Sequence, residues 1–471
     1  MKVAVIGAGP AGVTAAYLLV KGGAQVDLYE ASGDVGGLAR SINLWNQRVD
    51  LGPHRFFSSD TRVNELWLEL ARQDFEMVDR LTRIFYKNKF FFYPLKPFNA
   101  LFNLGPIESV LCFLSYLKEK VKPTPDDGSF ETWVTGRFGK KLFSIFFKTY
   151  SEKLWGISCK DLDAEFAAQR IKKLSLWEAV KNALFGGRGN KHKTLVDQFA
   201  YPSGGTGMIY ERMADFIRSK GSNVMLKTPV QRVITENGKA TAIETEGGRT
   251  EKYDHVVSSM PITLLVSRLP EVPEPIKEFS KKLKFRNTVL VYVEVKAKDL
   301  FPDNWLYVHS DNLLMGRLTN FRNWVPELYG KEESTIMVLE YWCYDEDAFW
   351  TRTDEDLIEL AKKELKSTGL IGNAEMPRGH VHRIHRCYPV YDRGYKERLK
   401  PVEDYLSSVG NLSVIGRYGA FKYNNQDHSI LMGILASENI LHGKNNNLWD
   451  INTDYEYQES SKITKTGLVK G

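Results

Sequence analysis

Three glycines and one acid near the start of the chain have the spacing of a dinucleotide site. Gly7, Gly9 and Gly12 follow the apolar run KVAVI, and an Ala- and Leu-rich helical stretch comes next. Gly7 allows a sharp turn, Gly9 lets the backbone approach a pyrophosphate, and Gly12 lets the helix pack closely on the strand. Glu30 ends a second strand and can accept hydrogen bonds from ribose hydroxyls. The pattern predicts that the helix N-terminus holds the pyrophosphate.

A second pair of glycines helps to decide between NAD and FAD, the two nucleotides that this motif serves. Gly36 and Gly37 come soon after Glu30, and Arg40 follows them. The arrangement resembles the flavoprotein superfamily that includes amine oxidases, protoporphyrinogen oxidase, phytoene desaturases and UDP-galactopyranose mutase. The resemblance implies FAD as the cofactor, with Arg40 reaching the pyrophosphate from the side opposite the helix. The alternative is an ordinary glycine turn with a surface arginine.

Two single residues, His54 and Arg286, are candidates for chemistry. His54 follows Gly52 and Pro53 in a turn that could place its ring beside a flavin. A single histidine is more often structural, and that alternative stays open. Arg286 enters an apolar strand, so it needs an anion or a carboxylate partner. From the residues alone, a salt-bridged arginine at a strand end is the favoured interpretation.

An aromatic and basic group is centred on Tyr150 and Trp155, with Arg170 downstream. The two aromatic rings could form a wall for a base or a sugar ring. Arg170 could hold a phosphate through two parallel hydrogen bonds. Core aromatic residues with a surface arginine explain the same pattern equally well.

The last group follows a core strand predicted at residues 412–415. Gly416 ends that strand, and the backbone N–H groups of the next loop can approach a second part of the dinucleotide. Arg417 and Tyr423 are the polar candidates that face a ligand. The alternative is a polar loop that ends in a helix N-cap at Asp427.

Together these groups resemble UDP-galactopyranose mutase more closely than the other flavoproteins, through scattered motifs from Lys2 to about Leu441. That family has a Gly-Pro-His-x-Phe turn and a Tyr five residues before the Trp of a Trp-Gly segment. It also has Gly-Arg ahead of an aromatic-basic-Tyr segment near the C-terminus. Thr206 and Asn425 depart from the family, which typically has Tyr and Asp there. The resemblance implies that both positions contact substrate, so a different sugar, a different nucleotide and a different reaction stay open as alternatives.

The resemblance implies three sets of site residues and no metal site. The catalytic set is His54, Arg170 and Arg286. The cofactor set is Gly7, Gly9, Gly12, Glu30, Gly36, Gly37, Arg40, Val230, Gly416 and Arg417. The substrate set is Tyr150, Trp155, Arg170, Arg286, Tyr423 and Asn425.

The resemblance also implies a reaction. Reduced FAD would act as a nucleophile towards a nucleotide-diphosphate sugar, which is isomerised between its pyranose and furanose forms, and NAD(P)H is a candidate external reductant. The alternative is an FAD-dependent oxidoreductase of the amine oxidase, protoporphyrinogen oxidase or desaturase type, acting by hydride transfer to flavin. A flavin- or nucleotide-binding protein without turnover is a third interpretation.

Length and composition limit the remaining choices. With 471 residues, 43% hydrophobic and 26% charged, the chain has room for two or three domains of a soluble globular protein. The net charge of +6 is spread along the chain, so nucleic acid is not an expected partner. The four cysteines lie far apart in the sequence and are interpreted as reduced thiols. No apolar run reaches about 18 residues, the length that a transmembrane helix needs. We expect a cytoplasmic protein without a transmembrane segment and leave a homodimer open.

The elements that must position these residues predict an α/β fold. It consists of a discontinuous Rossmann-type FAD-binding domain with a helical insertion and an antiparallel-sheet α+β substrate domain. The predicted boundaries are 1–97, 187–265 and 401–443 for the FAD-binding domain, 98–186 for the helical insertion, 266–400 for the substrate domain and 444–471 for a polar tail. We expect the tail to be disordered or peripheral.

Overall fold

Two sheets carry most of the strands. The computed structural model describes residues 1–93, 95–164, 198–451, 461–464 and 467–470. The strands described are β1 Lys2–Ile6, β2 Gln25–Tyr29, β3 Ser41–Leu44, β4 Gln47–Asp50, β5 Phe75–Asp79, β6 Thr82–Tyr86, β7 Lys89–Phe92, β8 Gln198–Pro202, β9 Asn223–Met225, β10 Val230–Glu236, β11 Lys239–Thr245, β12 Thr250–Lys252, β13 His255–Ser258, β14 Phe285–Val295, β15 Trp305–Val308, β16 Arg317–Asn320, β17 Thr335–Cys343, β18 Gly379–Pro389, β19 Leu412–Val414, β20 Ser461–Thr464 and β21 Gly467–Lys470.

The helices surround these sheets. Those described are α1 Pro10–Lys21, α2 Thr61–Ala71, α3 Pro97–Leu104, α4 Pro106–Val121, α5 Phe130–Phe138, α6 Lys140–Phe143, α7 Thr149–Trp155, α8 Gly207–Ser219, α9 Ile262–Arg268, α10 Glu274–Lys281, α11 Asp354–Ser367, α12 Tyr395–Ser408, α13 Gly416–Gly419 and α14 Gln426–His442. A π-helical turn, Ser144–Lys148, joins α6 to α7.

The first sheet is parallel throughout, with the strand order β19-β13-β1-β2-β9. Its central strand β1 is rich in small and β-branched residues and is buried, as expected for a strand covered on both faces. Helix α14 crosses α1 closely because Gly433 has no side chain; a Cβ there would lie 2.7 Å from the Ala11 carbonyl oxygen. This sheet draws strands from the beginning, middle and end of the chain, which confirms the discontinuous Rossmann-type fold.

The second sheet has seven strands in the order β18-β14-β17-β16-β15-β6-β7. Strands β14 and β17 pair antiparallel without a break from Asn287 opposite Cys343 to Val295 opposite Thr335. Helix α11 covers one face and buries its apolar side there. Strands β6 and β7 also join this sheet, although they come from the stretch predicted for the FAD-binding domain. The antiparallel α+β part of the predicted fold is confirmed.

Helices α3 to α7 form the described part of the predicted helical insertion, and 165–197 lie outside the described residues. Within the described ranges no single helix is long and apolar enough to cross a membrane. Helices α3 and α4 taken together do have the necessary length and composition, but they are bent by 119° relative to each other.

Two peripheral segments pack against the core. Helix α2 ends at Ala71, and after a short turn Phe75 starts strand β5, which pairs with β8. In the described part of the predicted tail, Ile463 of β20 is buried against the core that contains α2, and a peripheral position of the tail stays a prediction. A few apolar residues in a polar segment are therefore enough to dock that part of the tail.

Candidate active site

The turn between β1 and α1 forms a cradle around free backbone N–H groups. Gly7 has φ of +94° and donates its N–H to the Tyr29 carbonyl oxygen at 2.7 Å. A side chain at Gly12 would collide with the Gly7 carbonyl oxygen. Helix α1 starts after Gly9, and no side chain of the described residues caps its first turn. Its first N–H groups are thus available to an anion, and the helix dipole favours one there.

Glu30 braces the cradle at the end of β2. Its Oε2 accepts a hydrogen bond from the Ala8 N–H at 2.8 Å, and its Oε1 accepts one from the Ser32 N–H at 2.8 Å. A carboxylate oxygen has a further lone pair, so Glu30 can still accept from ribose hydroxyls. Val230 starts β10 close by, since the Thr228 N–H donates to the Glu30 carbonyl oxygen at 2.9 Å.

The glycine pair Gly36 and Gly37 closes the cradle from the opposite side. Gly36 has φ of +99°, and a Cβ on Gly37 would lie 2.9 Å from the Cα of Gly9. Arg40 follows this turn and donates from Nη2 to Nε2 of His382 at 2.9 Å. The Nε atom of Arg40 is buried with no hydrogen-bond partner among the described residues. The glycines leave space for a dinucleotide, and Arg40 has a donor for its phosphates.

Gly416 connects the cradle to a second group of residues. Its φ is +83°, and a Cβ there would lie 3.1 Å from the Cβ of Ala11 in α1. The next residue, Arg417, lies against two aromatic rings, with its guanidinium carbon 4.6 Å from the ring centres of both Tyr388 and Tyr423. The chain therefore passes directly from the cradle to a second group, in which the rings of Tyr388 and Tyr423 surround Arg417. We call the space around these three residues the enclosure.

Arg417 is incompletely satisfied in this enclosure. Its Nη1 donates to the Asn424 carbonyl oxygen at 3.1 Å. Its Nε and Nη2 atoms are buried and have no hydrogen-bond partner in the part of the chain that the structure describes. Unpaired buried donors on a cation are costly, so these atoms mark a place for anionic oxygens.

A second arginine in the enclosure was missed by sequence analysis. Arg317 on β16 donates from Nε and Nη2 to Glu340 on β17 at 2.7 and 2.5 Å, and from Nη2 to the Tyr388 hydroxyl at 3.3 Å. Burial lowers the pKa of Arg317, but the Glu340 carboxylate outweighs burial and raises the pKa above its ordinary value. The available signal was the acid Glu340 within the apolar run STIMVLEY, because an acid in a buried strand needs a partner.

His54 lies beside both arginines. Its carbonyl oxygen accepts hydrogen bonds from Thr206 Oγ1 at 3.0 Å and Gln426 Nε2 at 3.2 Å, which fix the turn. Burial, followed by the positive charges of Arg317 and Arg417, lowers the pKa of His54 to about 3. The ring is therefore neutral at neutral pH, and it can serve as a hydrogen-bond partner but not as a cationic acid.

Tyr150 and Trp155, both on α7, occupy different depths. Tyr150 stacks on His309 with ring centres 4.9 Å apart and is partly exposed. Trp155 is 0% exposed and meets the ring of Tyr423 edge-on at 5.6 Å. Tyr150 can contact a ligand directly, whereas Trp155 supports Tyr423 from behind. A direct contact of Trp155 with substrate stays a prediction.

The hydrogen-bond donors of Arg286 are engaged with other parts of the chain. It is 4% exposed and donates to the carbonyl oxygens of Leu154, Lys153 and Trp342 at 3.2, 3.2 and 2.7 Å. It also lies 3.4 Å from the Asp347 carboxylate. These contacts tie the end of α7 to the sheet, which is a positioning role, and its catalytic assignment stays a prediction.

The last two predicted substrate residues are Asn425 and Arg170. Asn425 is exposed at the start of α14, and its carbonyl oxygen accepts the Ser429 N–H at 3.2 Å. Arg170 lies outside the described residues. The structure therefore brings together His54, Tyr150, Arg417 and Tyr423 from the sequence prediction and adds Arg317 and Tyr388.

Comparison with known proteins identifies the family. A family model described as flavin containing amine oxidoreductase matches residues 10–441. The chain belongs to this family. It is an FAD-dependent enzyme of the amine oxidase superfamily, and the glycine cradle and Glu30 fit the cofactor. The predicted cofactor and superfamily are thus confirmed.

The individual proteins to which this chain is similar carry the names of different enzymes. The structure is similar to that of reduced UDP-galactopyranose mutase, with a TM-score of 0.83, 22% identity, and coverage of 96% of this chain and 97% of the other. It is also similar to putrescine oxidase, with a TM-score of 0.64, 17% identity, and coverage of 94% and 99%. The sequence is 21% identical to coproporphyrinogen III oxidase of Staphylococcus aureus, covering 93% of this chain and 99% of the relative.

Proposed function

We propose that this flavoenzyme isomerises a nucleotide-diphosphate sugar between its pyranose and furanose forms. The observation that carries the proposal is Arg417, a buried cation one residue beyond the cofactor cradle, two of whose nitrogen atoms have no partner among the described residues. Its neighbours Tyr388 and Tyr423 add hydroxyl groups that can donate to phosphate oxygens. A diphosphate next to the flavin is the ligand that satisfies these donors.

The charges of the enclosure support an anionic ligand. Arg317 is neutralised by Glu340 through two hydrogen bonds. Arg417, by contrast, has no carboxylate within 4.0 Å among the described residues, so its charge is left for a ligand. Burial, together with the positive charges of Arg317 and Arg417, lowers the pKa of His54, so the ring is neutral and adds no charge of its own.

Each residue has a physical task in the proposed reaction. When bound, reduced FAD supplies the nucleophile for the anomeric carbon of the sugar. Arg417 stabilises negative charge as the diphosphate leaves that carbon and holds it in place for its return. Tyr150, stacked on His309, walls one side of the enclosure and limits entry of water. The neutral ring of His54 can accept or donate one hydrogen bond in the enclosure. The chemistry belongs to the cofactor, and the chain supplies orientation and charge.

Product analysis tests the proposal directly. The holoenzyme, reduced with dithionite or NAD(P)H, is incubated with UDP-galactose, and the furanose form is sought by chromatography. Oxidised holoenzyme is the matched control and should give no furanose. A panel of other nucleotide sugars follows because Thr206 and Asn425 depart from the mutase pattern. If no nucleotide diphosphate perturbs the flavin spectrum and no nucleotide sugar is isomerised, the proposal is wrong.

A second candidate is an oxidoreductase that transfers hydride to FAD. It is supported by the similarity to coproporphyrinogen III oxidase over nearly the whole chain. This candidate predicts that coproporphyrinogen III or an amine bleaches the oxidised flavin without oxygen, whereas an isomerase gives no net flavin reduction. Substrate-dependent bleaching without isomerisation would replace the first proposal with the second.

A further inference from the structure

Exposed apolar side chains are concentrated on one part of the helical insertion. Eleven of the thirteen exposed large apolar residues in the described ranges lie between residues 93 and 121. We call this set the apolar surface; it comprises Tyr93, Phe98, Leu101, Phe102, Ile107, Val110, Leu111, Phe113, Leu114, Leu117 and Val121. Phe102 is 92% exposed and Val121 is 85% exposed. Exposed apolar side chains gathered on neighbouring elements in this way are typical of an interaction site.

The orientation of α4 shows that the exposure follows from its sequence pattern. Ile107, Leu114 and Val121 recur at seven-residue intervals on the outward side of the helix. Cys112 and Tyr116 face inward and are buried. A surface helix normally turns its apolar stripe towards the protein core and its polar side outward. Helix α4 has apolar residues on both sides, and its outward stripe is exposed in the part of the chain that the structure describes.

The charges around the apolar surface are mainly positive. Residues 87–122 contain six lysines and two glutamates. Glu108 is paired with Lys141 at 2.9 Å, and Glu119 accepts hydrogen bonds from Thr124, so these two acids are already engaged. Lys118 and Lys122 are exposed at the C-terminal end of α4. The partner should therefore have an apolar interior and a negatively charged surface.

We propose that the α3–α4 pair binds the surface of an anionic lipid bilayer, with the apolar surface inserted among the acyl chains. Helix α4 has 16 residues and is about 24 Å long, shorter than the hydrocarbon core of about 30 Å. The bend of 119° also prevents α3 and α4 from forming one straight span. Such helices lie in the plane of the interface, where lysines reach lipid phosphates. A second copy of the same surface would bring lysines against lysines, which disfavours self-association.

The apolar surface lies close to the candidate active site. Tyr93, at its edge, has its ring centre 5.1 Å from that of Tyr307, and Tyr307 lies 5.5 Å from Tyr150. Beneath the surface, Phe91 of β7 meets Phe146 of the π-helical turn at 5.1 Å. Bilayer binding would thus place the tyrosine wall of the enclosure beside the lipid headgroups. This inference does not depend on which reaction the enzyme catalyses.

Vesicle co-sedimentation of the holoenzyme tests the inference. Vesicles of phosphatidylcholine alone are compared with vesicles that also contain phosphatidylglycerol. We expect binding to the anionic vesicles that weakens as salt is added. The triple variant Phe98→Ser, Phe102→Ser, Ile107→Ser should lower the partition coefficient at least about tenfold. The matched control is Leu314→Ser, an exposed leucine outside the apolar surface, which should bind like the unmodified enzyme.

Further measurements distinguish a lipid bilayer from a second copy of the chain as the partner of the apolar surface. Lys118→Glu with Lys122→Glu should remove the preference for phosphatidylglycerol. Flavin absorbance of every variant reports that the fold and the cofactor are retained. Absence of binding to anionic vesicles would overturn the inference, and so would equal binding by the triple variant. Concentration-dependent dimers in sedimentation velocity that the triple variant abolishes, without vesicle binding, would assign the surface to a second copy instead.

Discussion

Replacing Arg417 by lysine should separate charge from hydrogen-bond geometry in the enclosure. Lysine keeps the positive charge but is a point donor without the planar fork of arginine. Two nitrogen atoms of Arg417 have no hydrogen-bond partner within the described ranges, and each charge-assisted hydrogen bond to a ligand contributes about 1.5–3 kcal/mol. If lysine preserves one contact, the loss is about 1.5–3 kcal/mol. The dissociation constant for UDP should therefore rise about 10- to 150-fold.

The assay is a titration of the holoenzyme with UDP, followed by flavin absorbance. FAD occupancy is measured on the same samples, because Arg417 follows a residue of the cradle. Arg322→Lys is the control, since Arg322 lies outside the enclosure and its Nη1 already donates to the carbonyl oxygens of Glu332 and Ser334. It should lower the melting temperature while leaving the UDP affinity within about twofold. The reasoning is refuted if Arg417→Lys binds UDP as tightly as the unmodified enzyme with full FAD occupancy.

The remaining predictions concern the cofactor, the ion pair and pH. Gly12→Ala should give protein without bound flavin, measured by absorbance, because its methyl group collides with the Gly7 carbonyl oxygen; a fully yellow variant would contradict this. Glu340→Gln should cost about 3–5 kcal/mol in the free energy of unfolding by leaving the Arg317 charge unpaired, and Arg317→Met should recover part of that loss in the double variant; chemical denaturation checks both. Burial lowers the pKa of His255 to about 4, so the unfolded chain takes up the extra proton as pH falls below about 6.5 and stability decreases towards pH 4. His255→Gln should reduce that slope by up to about 1.4 kcal/mol per pH unit in denaturation series, and an unchanged slope would exclude the assignment.

The cofactor half of the site could be predicted because its parts are consecutive in the chain. Gly7, Gly9 and Gly12 each meet a local requirement of one turn, and Glu30 ends the next strand. Strand, turn and helix then fix the geometry without information from the rest of the protein. The structure adds the closure by Gly416, which the sequence suggested only as a loop after a strand.

The substrate half could be predicted only in part because sheet register decides it. Arg317 and Tyr388 are 71 residues apart and meet only because their strands belong to one sheet. Nothing near Arg317 in the sequence indicates Tyr388. Arg286 shows the opposite case: an arginine in an apolar strand is a strong signal of a partner, and the structure supplies the Asp347 carboxylate together with carbonyl oxygens at the end of helix α7. A residue pattern predicts that a partner exists and does not identify it.

The contact between Gly416 and Ala11 also has a consequence for biosynthesis. The ribosome makes the two sides of the cradle at very different times, since about 400 residues separate them. At about 5–20 residues per second, that interval is roughly 20–80 s. For much of it, strand β1 waits on the nascent chain without its neighbour β13 and with one edge unpaired. FAD should therefore bind only after Gly416 emerges, and nascent chains arrested before that residue should carry no flavin.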